Sequence, residues 1–241
     1  MTSPNSAVIC AYLRSPFTLA NKGELAKTRP DELLAQVMRA LVAKSGINAA
    51  DLEDVLVGCA FPEGEQGLNI ARMAVLMTGL PISVGGATVN RFCGSSMEAL
   101  HMAAGKIACG AGELFIAAGV ESMSRIPMGG FNPSPNPDLY GAMPAAYMSM
   151  GLTAEHLCKN FPISRKQQEE FTLASHQKAA KADLAGEIVA IKARAGMVEK
   201  DGCIRPDTSL ESMAGLAPAF DTNGMVTAAT SSPITDGAAA V

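Results

Sequence analysis

Between residues 7 and 120, short apolar runs alternate with stretches whose apolar residues recur at helical spacing, and this alternation restricts the fold more than any other feature. The runs at 7–13 (AVICAYL), 54–59 (DVLVGC), 87–89 and 114–120 (LFIAAGV) read as strands. A helix is predicted to open near Pro30 and Asp31, where proline gives up only an amide that has no partner and the acid faces the positive end of the helix dipole. Its stripe of Leu34, Val37, Met38, Leu41 and Val42 stops at Gly46. A second helix is predicted over 69–78, ended by Gly79 and Pro81, and a third from Ser95, with Met97, Leu100, Ala104 and Ile107 on one face. Strands alternating with helices predict an α/β fold with a largely parallel sheet covered on both faces. With 241 residues, 48% apolar and 17% charged, the chain has ample material for a core in one or two domains.

The texture changes after Ser124. Residues 126–150 are rich in proline, methionine and glycine and read as loop. Gly85-Gly86 reads as a turn. Ser164, with Gln167 three residues on, opens a long helix toward Leu184 through a capping box. Residues 188–192 read as a strand and 203–218 as irregular. Ser231-Ser232-Pro233, then Asp236 and the alanines at 238–240, read as the first turn of a helix. The sequence stops inside that element without a cap, so a truncated chain is expected.

Several classes are disfavoured. No run approaches membrane-spanning length, and Met1 to Ser6 lack the basic-then-apolar pattern of a signal peptide. A net charge of −4 gives no reason to invoke nucleic acid. The six cysteines form no CxxC pair and no regular spacing, so neither a metal site nor a disulfide framework is indicated, and a reducing cytoplasmic setting fits.

One cysteine stands apart. In VNRFCGSSMEAL, residues 89–100, Cys93 falls where a strand hands over to a helix. Unpaired amides and the helix dipole gather there and favour a thiolate, while Gly94 lets the chain turn sharply. That placement suits a nucleophile attacking an acyl group. A free cysteine is also commonly a small buried hydrophobe. Cys10 and Cys59 lie in strand-like runs, Cys109 near a helix end, Cys158 on a helix and Cys203 in a polar loop. His101 lies on the Cys93 helix and reads as a packed or hydrogen-bonded residue, His176 as part of a solvated face, and His156 as structural. Glu121, after a strand, suits either a ligand position or a carboxylate that fixes a nearby loop, and it is not counted as catalytic.

The cysteine segment resembles the acyl-enzyme signature of thiolases, with Cys93 as nucleophile. RSPF at 14–17, GLNIAR at 67–72, GVESMSR at 119–125, MGLTAEHL from 150, APAF at 217–220 and VTAATSSPITDGAAAV at 226–241 extend the resemblance over nearly the whole chain. Within the family, the chain is most similar to degradative 3-ketoacyl-CoA thiolases of fatty-acid β-oxidation. The resemblance implies a thiolase-like α/β fold made of two βαβαβαββ halves, with a mostly helical loop domain inserted in the first. Residues 1–125 would form the first half, carrying the nucleophile, 126–225 the loop domain, and 226–241 the return to the core. The second half, which brings a Gly-His-Pro histidine and a second reactive cysteine, would be absent.

It further implies an acyltransferase that cleaves 3-ketoacyl-CoA with CoA as co-substrate and no other cofactor. The Cys93 backbone N–H would serve one oxyanion hole. Met150 and Ser232 would lie along the pantetheine arm, and Arg205 and Ser212 at the adenine-nucleotide end. Two departures from the family pattern are Ser149, where many relatives carry histidine, and Ala229, where they carry glycine. A homodimer or tetramer and a β-oxidation complex partner are implied. An isolated chain without its base and proton shuttle is expected to be inactive. The alternatives are a biosynthetic acetoacetyl-CoA thiolase, a condensing enzyme using carrier-protein thioesters, and a non-catalytic acyl-CoA-binding relative.

Overall fold

The computed structural model describes residues 6–241; the leader reading made on the first six residues lies, but for Ser6, outside them. In chain order the elements are β1 (Leu13–Arg14), β2 (Thr18–Leu19), α1 (Pro30–Ser45), β3 (Asp54–Gly58), α2 (Ile70–Thr78), β4 (Gly85–Val89), α3 (Ser95–Ala108), β5 (Phe115–Ser122), α4 (Pro137–Ala142), α5 (Met150–Asn160), α6 (Arg165–Lys181), β6 (Ile191–Ala193), β7 (Gly196–Val198), α7 (Leu210–Ala214) and β8 (Thr235–Ala240). They divide between two compact units. The first takes in residues up to 132, 184–202 and 234–241, and the second 133–183 and 203–233.

The first unit is built on a mixed sheet in the order β1-β8-β5-β3-β4, with β2 also paired to β8. Along β3, Val55 and Val57 point to one face and Leu56 to the other, as the pleat requires. On the first face they pack with Leu33, Leu34, Val37 and Met38 of α1 and Ile70, Ala74 and Val75 of α2. On the second face Leu56 and Ala117 meet Ala99 and Ala103 of α3. Each fully buried leucine or valine here contributes about 1.5–3 kcal/mol. α1 opens on Pro30 and ends at Gly46, whose φ of 68° is left-handed, as its sequence predicts.

Four expectations need correction. The sheet is not largely parallel: β3 runs parallel to β4 and β5, where crossover helices join the strands, but β8 is antiparallel to β1, β2 and β5. The alanine run at 238–240 is strand, not helix. Alanine favours helix, but small side chains fit the crowded sheet interior between β1 and β5, and Asp236, Ala238 and Ala240 are buried there. Within the apolar run at 7–13 only Leu13 lies in a strand, paired with Ala240 of β8, and Val8, Ile9 and Cys10 are exposed. Gly85-Gly86, read as a turn, lies in β4.

In the second unit, the stretch read as loop over 126–150 includes α4 and a 3-10 turn, Pro144–Tyr147, and the irregular 203–218 includes α7. α6 begins at the expected capping box, with both reciprocal bonds of Ser164 and Gln167 formed. Arg165 bonds Glu169 at 2.7 Å and donates to the carbonyls of Met213 in the last turn of α7 and of Leu216 just past it. Glu155 of α5, 2% exposed, accepts the amides of Met225 and Val226 at 2.9 and 2.8 Å.

Candidate active site

Cys93 lies in the turn from β4 into α3, and the turn is held by its own neighbours. Phe92 takes a left-handed φ of 46°, strained for a bulky residue. Asn90 Oδ1 accepts the Phe92 amide at 2.9 Å. Ser95, 3% exposed, accepts the Arg91 amide and donates to the Phe92 carbonyl through its hydroxyl. The Gly94 amide closes the turn on Arg91 O at 3.0 Å. Gly94 is the N-cap of α3, and no side chain caps that end, so the positive end of the helix dipole faces the turn, as the sequence predicts. Cys93 itself is exposed.

The start of α3 rests on the carboxyl ends of β3 and β5 because glycines there leave room. A Cβ on Gly58 would stand 2.3 Å from Ser95 C and Ser96 N, and one on Gly119 would meet the Ser96 hydroxyl. Parallel strands in such sheets offer ligands this same edge.

Behind the turn lies a polar cluster that the sequence did not disclose. Glu121 Oε2 accepts the Ala60 amide at 2.7 Å, and Oε1 accepts Gln66 Nε2 at 2.6 Å and the Phe61 amide at 3.3 Å. Gln66, fully buried, also donates to Phe61 O and accepts the Ser122 amide. Of the two readings left open for Glu121, the structure shows the carboxylate fixing a loop. Its signal in the sequence was its place at a strand end; Gln66 and Asn90 carried none. The segment so fixed meets the turn twice: Asn90 Nδ2 donates to Ala60 O at 3.0 Å, and the Phe61 and Phe92 rings lie 6.1 Å apart. Burial, then the Glu121 charge, pushes the Cys59 thiol up to about 12, so this second sulfur stays protonated.

The remaining candidates fall elsewhere. Arg91 pairs with Glu98 at 3.1 Å, and His101 lies 4.0 Å from Glu98 on the exposed side of α3. The CoA candidates belong to the second unit. Met150 begins α5 and is 69% exposed, and Arg205 and Ser232 are exposed. The Ser212 hydroxyl is engaged in the α7 capping box with Ser209. His176 is not a solvated-face residue: its Nδ1 accepts the Arg205 amide at 3.2 Å, which is why it is half-buried. Ala229 is not left-handed, so glycine is not required at that position. Among the described residues, no cluster of His, Cys, Asp or Glu has the makings of a metal site, and no helix is long and apolar enough to cross a membrane.

Fold and site together define an α/β domain that presents one solvent-facing thiol at the carboxyl ends of its parallel strands. The chain belongs to the thiolase family: residues 7–241 match the family described as thiolase, N-terminal domain. Among curated proteins it is similar to the 3-ketoacyl-CoA thiolases of Colwellia psychrerythraea, 44% identical, and Bacillus subtilis, 41% identical, each over 98% of this chain. That of Shewanella frigidimarina is 44% identical, also over 98%. The chain spans 64% of the length of the first two relatives and 63% of the third.

Proposed function

We propose that the whole protein is a 3-ketoacyl-CoA thiolase in which Cys93 forms the acyl-enzyme. The observation that carries this reading is an exposed thiol at the uncapped start of α3, in a chain whose relatives bear that name. The Cys93 thiolate attacks the 3-keto carbon. The bond between C2 and C3 breaks, leaving the acyl group on sulfur as a thioester, and the acetyl-CoA carbanion takes a proton. The thiol of free CoA then attacks the thioester, releasing shortened acyl-CoA and restoring Cys93. The Cys93 amide is one donor to the oxyanion. CoA runs past Met150 and Ser232 to Arg205 and Ser212, with 126–225 acting as the loop domain. The general base and proton shuttle come from sequence beyond this chain, since none of His101, His156 and His176 stands in a Gly-His-Pro context. A cytoplasmic dimer or tetramer serving fatty-acid β-oxidation, with a complex partner, completes the reading.

The test is mass spectrometry of the full-length protein after incubation with acetyl-CoA. An acetyl group on the Cys93 peptide, absent from Cys93→Ala, is expected, together with no thiolytic turnover by the 241-residue chain. Acetyl-CoA binding without an adduct on Cys93, or family-like turnover by the shorter chain, would overturn it.

A further inference from the structure

We propose that Glu121 is a positioning residue for Cys93, acting through the 59–66 segment and Asn90 to hold the 90–94 turn in place. The path is continuous. Glu121 accepts the amides of Ala60 and Phe61, the Ala60 carbonyl accepts Asn90 Nδ2, and Asn90 Oδ1 accepts the amide of Phe92, next to the nucleophile. The Phe61 and Phe92 rings make a parallel link. The Phe92 backbone is left-handed without being glycine, a conformation that persists only where its surroundings impose it. Asn90 imposes it, and Asn90 is itself tied to a segment that Glu121 and the buried Gln66 secure. In its functional meaning the inference rests on the reading of Cys93 as nucleophile, but its test does not.

The charged and titratable groups of this neighbourhood are Arg91, Glu98 and His101 on the turn and α3, and Cys59 and Glu121 on the other side. They make the sign of the effect informative. Were Glu121 acting by charge alone, Glu121→Gln would remove a negative charge from the cluster behind the turn and favour the thiolate. Loosening the turn does the opposite, because the thiol drifts from the positive end of α3.

The experiment measures iodoacetamide alkylation of each cysteine across a pH profile, by peptide mass spectrometry, in wild type, Glu121→Gln, Asn90→Ala and the double variant. The expected result is a Cys93 profile displaced to higher pH, with roughly tenfold slower alkylation near neutrality in each single variant. Cys109, exposed at the far end of α3, keeps its rate. Two substitutions on one path do not multiply, so the double variant is no slower than the slower single one. An unchanged profile, a shift to lower pH, a multiplicative double or an equal loss at Cys109 overturns the proposal. Asn90 is exposed, so Asn90→Ala carries the test should Glu121→Gln fail to fold. Alkylation requires no acyl transfer: the coupling can fail while an acetyl adduct still forms, and can hold where none does.

Discussion

Replacing Gly58 by alanine sets a methyl group 2.3 Å from the Ser95 carbonyl carbon and the Ser96 nitrogen, and 2.6 Å from the Ser95 oxygen. These are backbone atoms of the first turn of α3, so no change of rotamer relieves the clash. Ordinary contact begins at 3.4 Å, so the helix start, or β3 beneath it, must give way by about 1 Å. Forcing a methyl group into such a place costs about 1–3 kcal/mol. For a chain of this size each kcal/mol lowers Tm by about 2–4 °C, so a fall between about 2 and 12 °C is expected. A displacement of about 1 Å at a reacting group is worth about 100-fold in rate. Acetyl-adduct formation at Cys93 in the full-length protein should therefore fall by one to two orders of magnitude, well beyond what the loss of stability explains at a temperature where the variant is folded. A Gly58→Ala protein with wild-type melting and a wild-type Cys93 rate would refute the claim that this glycine seats the Cys93 turn.

Gly105 supplies the contrast: it lies inside the same helix, and a Cβ there meets nothing within 4 Å. Gly105→Ala should stabilise the chain by about 0.5–1 kcal/mol in urea unfolding and leave Cys93 reactivity unchanged. Cys59 gives a pH dependence. Its thiol ionises from an ordinary value of 9.0 in the unfolded chain but only near about 12 when folded, with burial the main cause and the Glu121 charge next. The stability it contributes is thus intact below the unfolded value and is lost as pH rises through that window. Cys59→Ala should lose less stability than wild type between about pH 8 and pH 10.5, as read from urea midpoints.

The β3-α2-β4-α3-β5 core was legible because each of its signals is local. Pro30 and Gly46 bracket α1, helical periodicity marks α2 and α3, and Ser164 with Gln167 announces α6. The placement of Cys93 between strand and helix was legible for the same reason, since strand end, turn and helix start lie within a few residues. What failed depended on distant partners. The alanines of β8 form strand because β5 and β1 flank them. The hydrogen-bonded cluster behind the Cys93 turn joins Glu121, Gln66, Ala60 and Asn90 across as many as 61 residues of sequence, and no periodicity reports such a convergence. His176 looked solvated because nothing in its helix discloses that the Arg205 amide approaches it.

The place of β8 in the sheet has a consequence for synthesis. β5 is complete at Ser122, but the strand that closes its open side begins only at Thr235, and that same strand supplies the partner for Leu13 and Arg14. At about 5–20 residues per second, the ribosome leaves that hydrogen-bonding edge uncovered for on the order of ten seconds. Throughout that interval the nascent chain carries an unsealed ribbon backed by Val120 and Ile116, a template for pairing with a neighbouring chain. Chaperone demand should thus be set by how quickly translation reaches residue 240.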